Sequence, residues 1–152
     1  MTDVSALANC AALHTLYLNR CPGLRDVSAL ANFATLHKLS LARCMGVTHV
    51  SALAGCATLH TLRLSCSAVA DVSALAGCAA LHTLTLMACT GLTDVSALAN
   101  CATLQILDLS YCSAVADATC ARPPGLHGGD GRVGAAEGGG QSKILSSVTT
   151  KK

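Results

Sequence analysis

Ten Cys and six His among 152 residues are the side chains with the most capacity for chemistry. Three of the Cys precede a His by four residues: Cys10-His14, Cys56-His60 and Cys78-His82. Such a pair supplies two zinc ligands of the four a tetrahedral site needs. The pair is lost at Phe33-His37 and at Cys101-Gln105, and the chain holds no C-x-x-C, so no metal ligands are expected. A Cys with a nearby His is also the raw material of a nucleophile and its base. Here each pair recurs in the same surroundings, and nothing supplies an orienting acid or an oxyanion hole beside one of them. No catalytic residue, no cofactor and no enzymatic activity are therefore expected.

Two further rows repeat along the chain. Asp3, Asp26, Asp71, Asp94 and Asp117 suggest a calcium ladder, but calcium takes six to eight oxygens and one carboxylate per unit falls short. Their expected role is helix N-capping, with His49 breaking the row. His14, His37, His60 and His82 are expected to stack along one margin, as a residue copied with its unit.

What places these rows is an internal repeat. The segment DVSALANC at Asp3 returns as DVSALANF at Asp26, HVSALAGC at His49, DVSALAGC at Asp71 and DVSALANC at Asp94, in steps of 23, 23, 22 and 23 residues. Each unit reads D-V-x-x-L-x-x-C-x-x-L-x-x-L-x-L-x-x-C-x-x-L-x. In the first unit the inward set is Val4, Leu7, Cys10, Leu13, Leu16, Leu18, Cys21 and Leu24. Over five units this makes forty positions, all Val, Leu or Cys except Phe33. One interior copied coil after coil is the mark of a solenoid. Its narrow interior explains why only 2% of residues are aromatic.

The L-x-x-L-x-L-x-x-C core resembles the leucine-rich repeat family. The matching residues are Leu13/Leu16/Leu18/Cys21, Leu36/Leu39/Leu41/Cys44, Leu59/Leu62/Leu64/Cys66, Leu81/Leu84/Leu86/Cys89 and Leu104/Leu107/Leu109/Cys112, with the third unit one residue short before Cys66. The G-L-T-D-V-S-A-L segment is similar to the short internalin-like class, and the Cys ladder to the cysteine-containing class. The resemblance implies an α/β solenoid: a parallel concave sheet of about five short strands, with short helical or 3₁₀ turns on the convex side. The Cys of the first ladder are then structural thiols in the turn after each strand. Those of the second, Cys10, Cys56, Cys78 and Cys101, pack inward.

Composition and charge fit this reading and exclude others. With 52% apolar residues the chain is no disordered polymer, and a formal charge of +2 without a basic cluster disfavours nucleic acid. Val72 to Thr93 carries no Asp, Glu, Lys or Arg, but it is one repeat punctuated by Gly77, Thr90 and Gly91, so no membrane span is expected. No signal peptide stands out, so a cytoplasmic location with reduced thiols is expected.

The interior is constant while the outward strand positions change, as a binding face would. The expected partner-binding residues on the concave face are Tyr17, Asn19, Arg20, Lys38, Ser40, Arg43, Thr61, Arg63, Thr85, Met87, Asp108 and Tyr111. Tyr and Arg are common anchors of protein interfaces. The expected function is non-catalytic binding of a protein partner. The alternatives are a recognition or regulatory subunit of a larger complex such as a ubiquitin ligase, and a fragment of a surface adhesion array. The array is expected at 1–117, with repeats starting near 3, 26, 49, 71 and 94, and self-association is expected through its uncapped ends. Residues 118–152 read as a flexible tail: Pro123-Pro124-Gly125 stops the pattern, and 125–140 hold eight of the thirteen Gly.

Overall fold

The computed structural model describes residues 2–10, 12–65, 67–117 and 144–146. Alternation around one inward Leu gives each unit a three-residue strand: β1 (Thr15–Tyr17), β2 (Lys38–Ser40), β3 (Thr61–Arg63), β4 (Thr83–Thr85) and β5 (Ile106–Asp108). The five pair in parallel in chain order, which puts Leu16, Leu39, Leu62, Leu84 and Leu107 in one row. The ladder continues one residue past each strand. There the amides of Leu18, Leu41, Leu64 and Leu86 donate to the carbonyls of Ser40, Arg63, Thr85 and Asp108 at 2.8–2.9 Å.

The return wall is a stack of 3₁₀ turns at Ser5–Leu7, Ser28–Asn32, Ser51–Gly55, Ser73–Gly77 and Ser96–Asn100. A single buried Leu anchors each of the last four, at Leu30, Leu53, Leu75 and Leu98. The Asp row acts here, one residue earlier than the N-cap position expected of it. Val4, Val27, Val72 and Val95 hold the N-caps. The preceding Asp reaches over them to accept the amide of Ser5, Ser28, Ser73 or Ser96 at 2.7–3.0 Å. The N-cap residue itself must be apolar because the Val slot lies in the core. Those amides, then the Ser hydroxyls, hold Asp26, Asp71 and Asp94 below the usual carboxylate range. At Asp3 the Ser5 hydroxyl leads and its amide follows.

Between the two walls lies one continuous core of Leu, Val and Cys, with Phe33 filling the slot that other units give to Cys. Two expectations about this core need correction. In the first unit only Val4, Leu18 and Leu24 are buried, whereas Leu7, Leu13, Leu16 and Cys21 are half-buried and Cys10 is exposed. Among the described residues no coil lies outside it, so the slots that a neighbour closes elsewhere stay open. In the third unit the ladder slot belongs to Ser67, not Cys66. Ser67 stands three residues after Leu64, as each ladder Cys does after its own Leu, and it is buried against the Cys89 thiol at 3.3 Å. The missing residue of the 22-residue step therefore falls after Ser67, where the buried Val69 follows two residues on instead of three. Cys66 itself lies outside the described residues.

After the fifth strand comes a short helix, α1 (Ser113–Asp117). The tail expected at 118–152 lies outside the described residues apart from β6 (Ile144–Ser146). This segment pairs antiparallel with β5 and adds a sixth strand that the sequence did not suggest.

Candidate protein-binding face

Parallel register turns the outward positions of the strands into columns. One column reads Thr15, Lys38, Thr61, Thr83 and Ile106, and the next reads Tyr17, Ser40, Arg63, Thr85 and Asp108. Two and three residues past each strand come Asn19 and Arg20, Ala42 and Arg43, Met87 and Ala88, and Ser110 and Tyr111. Neighbouring rungs stand about 4.8 Å apart, so side chains in a column present a continuous surface.

Most of the expected residues reach solvent. Tyr17 and Tyr111 are 62% and 53% exposed, and Asn19, Arg20, Lys38, Arg43 and Arg63 are exposed as well. Thr61, Thr85, Met87 and Asp108 are half-buried. Ser40 is the exception and is withdrawn as a contact residue, since it is 3% exposed. Its hydroxyl donates to Asn19 Oδ1 at 2.5 Å, and the same oxygen accepts the Ala42 amide at 3.2 Å. Ser40 thus locks the first rung to the second. Asp108 is likewise engaged with its own turn, accepting the Ser110 amide at 2.9 Å and the Ser110 hydroxyl.

One column carries a signal that spacing alone did not reveal. Arg20, Arg43, Ala88 and Tyr111 have φ of 60°, 62°, 60° and 62°, the left-handed region that favours glycine. The turns after β1, β2, β4 and β5 take this conformation as the chain swings inward to the ladder Cys. The amides of Arg20, Arg43 and Ala88 meanwhile donate to Ala42, Ser65 and Ser110 carbonyls at 2.7–2.8 Å. Neither Gly nor Asn marks the position, so its residue types carry no sign of the turn.

The Cys and His rows serve the scaffold. Cys44, Cys89 and Cys112 donate to the carbonyls of Leu18, Leu64 and Leu86 at 2.8–3.1 Å. Cys56, Cys78 and Cys101 donate to those of Leu30, Leu53 and Leu75 at 3.2–3.4 Å. Each thiol so ties its coil to the preceding one. Burial pushes the thiols of Cys44, Cys56 and Cys101 up, and Cys78 up to about 12 with the neighbouring Cys56 and Cys101 adding to it. In the buried pair Cys89 and Cys112 the mutual side-chain interaction is the leading influence, drawing the Cys89 thiol down and holding Cys112 up. With 0% exposure, Cys89 offers no path to a substrate.

The four His form a stack, as expected, with ring centroids 5.1–5.3 Å apart and planes within 16°. Nδ1 of His37, His60 and His82 donates at 2.6 Å to the carbonyl of Thr35, Thr58 and Ala80, which fixes the ring orientation. Among the described residues no three His, Cys, Asp or Glu side chains converge as a metal site would require.

These strands, turns and ladders are those of a leucine-rich repeat, and the chain has that fold. It is similar to two internalins from Listeria monocytogenes. With inlF it shares 25% identity at a TM-score of 0.57, over 73% of this chain and 38% of that one. With inlC2 it shares 23% identity at a TM-score of 0.52, over 78% of this chain and 63% of that one. The chain thus spans less than two thirds of the length of either structure. No protein-family model matches the sequence, and no curated protein matches it. Leucine-rich repeats are typically protein-binding modules and usually non-catalytic. Among the described residues, no helix is long and apolar enough to cross a membrane.

Proposed function

We propose that the chain is a non-catalytic module that binds a protein partner through its strand face, using Tyr17, Arg20, Lys38, Arg43, Arg63 and Tyr111 as principal contacts. The observation that carries this reading is the contrast between the two sides of each strand. Inward, Leu16, Leu39, Leu62, Leu84 and Leu107 repeat one residue, while outward the same strands change side chain at nearly every rung. Two exposed Tyr and four exposed cations hold the ends and the centre of that surface. Large aromatic and guanidinium groups are the usual hot-spot residues of interfaces.

The thiols support a reducing, cytoplasmic setting. Six buried ones donate to backbone carbonyls of the preceding coil, and a disulfide would forfeit those bonds in the core.

Affinity capture with the intact chain and with a Tyr17→Ala/Arg43→Ala/Arg63→Ala variant tests the assignment. A Ser28→Ala/Ser51→Ala/Ser96→Ala variant on the opposite wall serves as control. The partner should be lost with the first variant and kept with the second. Equal capture by all three would overturn the assignment.

A further inference from the structure

We infer that the partner presents an acidic, extended polypeptide segment, held by Arg20, Lys38, Arg43 and Arg63 across the first three rungs. This rests on the reading of the strand face as a protein-binding surface and specifies what that surface takes. The charges divide unevenly around the solenoid. Residues 1–117 carry five basic and six acidic side chains, and four of the five basic ones lie on this face. Five of the six acids are engaged by their own turns. Asp3, Asp26, Asp71 and Asp94 each accept a Ser amide at the start of a 3₁₀ turn. Asp108, two rungs beyond Arg63, accepts the Ser110 amide and hydroxyl. Among the described residues no ion pair occupies the four cations. They form an exposed positive field on an array whose own net charge is slightly negative.

Backbone geometry fixes where the four cations stand. Arg20 and Arg43 stand in left-handed conformation at φ 60° and 62°, where glycine adopts the turn without a Cβ clash. The scaffold alone would be better served by glycine in both places. The same conformation recurs at Ala88 and Tyr111, so it belongs to the turn of the repeat, and at Arg20 and Arg43 that turn carries an exposed guanidinium side chain. The strained pair sits on adjacent rungs, and Lys38 and Arg63 stand on the strands beside them.

Scale and composition select the partner. Three rungs cover about 10 Å, the length of about three extended residues, so two or three carboxylates suffice to meet the four cations. Nucleic acid fits less well. Single-strand binders align a basic groove with aromatic stacking platforms, whereas Tyr17 and Tyr111 lie on the first and fifth rungs and the array as a whole is slightly acidic.

Fluorescence anisotropy of the full chain with a fluorescein-labelled decaglutamate peptide tests the inference, alongside decalysine and an oligo-dT strand. Decaglutamate should bind, and should weaken about tenfold between about 50 and 300 mM NaCl. Arg20→Gly/Arg43→Gly should weaken it about fivefold or more while raising the unfolding midpoint, so that misfolding cannot explain the loss. Lys38→Gln/Arg63→Gln, which leaves the turns alone, should weaken it similarly. The inference is overturned if decaglutamate fails to bind, if both variants bind it as the parent does, or if oligo-dT binds as tightly. Should decaglutamate fail while Tyr17→Ala/Tyr111→Ala still abolishes capture of the partner, the acidic class falls and the protein-binding face stands. If that variant also captures normally, both fall.

Discussion

Leu62→Ala and Leu16→Ala are the same substitution in the same row of the sheet, and the fold predicts unequal costs. Leu62 is 0% exposed, with Leu39 and Leu84 in register on either side. Leu16 is half-buried, with Leu39 on one side only among the parallel rungs. Removing three carbons from a buried site forfeits roughly 2–2.5 kcal/mol of transfer free energy, at about 0.8 kcal/mol per methylene. A residual cavity adds to this, so the full range for buried Leu→Ala is about 2–5 kcal/mol. Leu62→Ala should therefore cost about 3–4 kcal/mol. Leu16→Ala leaves less of a cavity and removes area already partly wet, so about 1–1.5 kcal/mol is expected. Because each coil contacts only its neighbours, the central change also weakens two interfaces and the terminal one weakens a single interface. Urea unfolding followed by circular dichroism reads both values against the parent. Equal losses, or a greater loss at Leu16, would refute the reasoning that the stack closes its interior by neighbour contact.

Four shorter predictions follow from the same geometry. Ala88→Gly relieves a φ of 60° without removing a functional side chain, and should raise stability by about 0.5–1 kcal/mol in thermal melts. The Asp carboxyls of the 3₁₀ turns are held below their ordinary range when folded, so the stability they add is present above the unfolded pKa and lost as pH falls through the folded one. The unfolding midpoint should accordingly drop on acidification below about pH 4. Asp71→Ala should flatten that dependence, and His49→Asp should deepen it and raise the midpoint at neutral pH. Among the described thiols, native-state alkylation should modify Cys10 first and leave Cys44, Cys56, Cys78, Cys89, Cys101 and Cys112 unmodified until the chain unfolds, as mass spectrometry of the labelled peptides would show. Sedimentation should reveal concentration-dependent self-association through the first coil, where Leu7, Leu13 and Leu16 are half-buried; Leu13→Lys should abolish it.

The period of the sequence made the architecture legible because every coil solves the same packing problem with the same residues. The repeat and the resemblance it carries anticipated strand, 3₁₀ turn and the Cys ladders apart from Cys10 and the third-unit slot, and the His stack followed from the repeat. The departures have physical causes that spacing does not encode. Which residue of Ser65-Cys66-Ser67 enters the ladder depends on where the chain absorbs a missing residue, and the loop after Ser67 absorbs it more easily than the strand. Ser40 alternates outward in the pattern, yet the Asn19 side chain folds over it and buries it. The left-handed turns were hidden because Arg, Ala and Tyr occupy them in place of Gly. On the candidate site, the variable column was readable as a surface, but the engagement of Asp108 and the exposure of the four cations depend on side-chain contacts that spacing does not encode.

The central claim is that the strand face, and not the 3₁₀ wall, meets the partner. Replacing Tyr17 or Tyr111 by the photoreactive amino acid p-benzoylphenylalanine tests this directly, because each is exposed and the replacement is also aromatic. The same residue placed at Ser28 or Ser96 reports on the opposite wall. Irradiation of the complex should join the partner to positions 17 and 111 and leave positions 28 and 96 unlinked. Crosslinks confined to positions 28 and 96 would contradict the account.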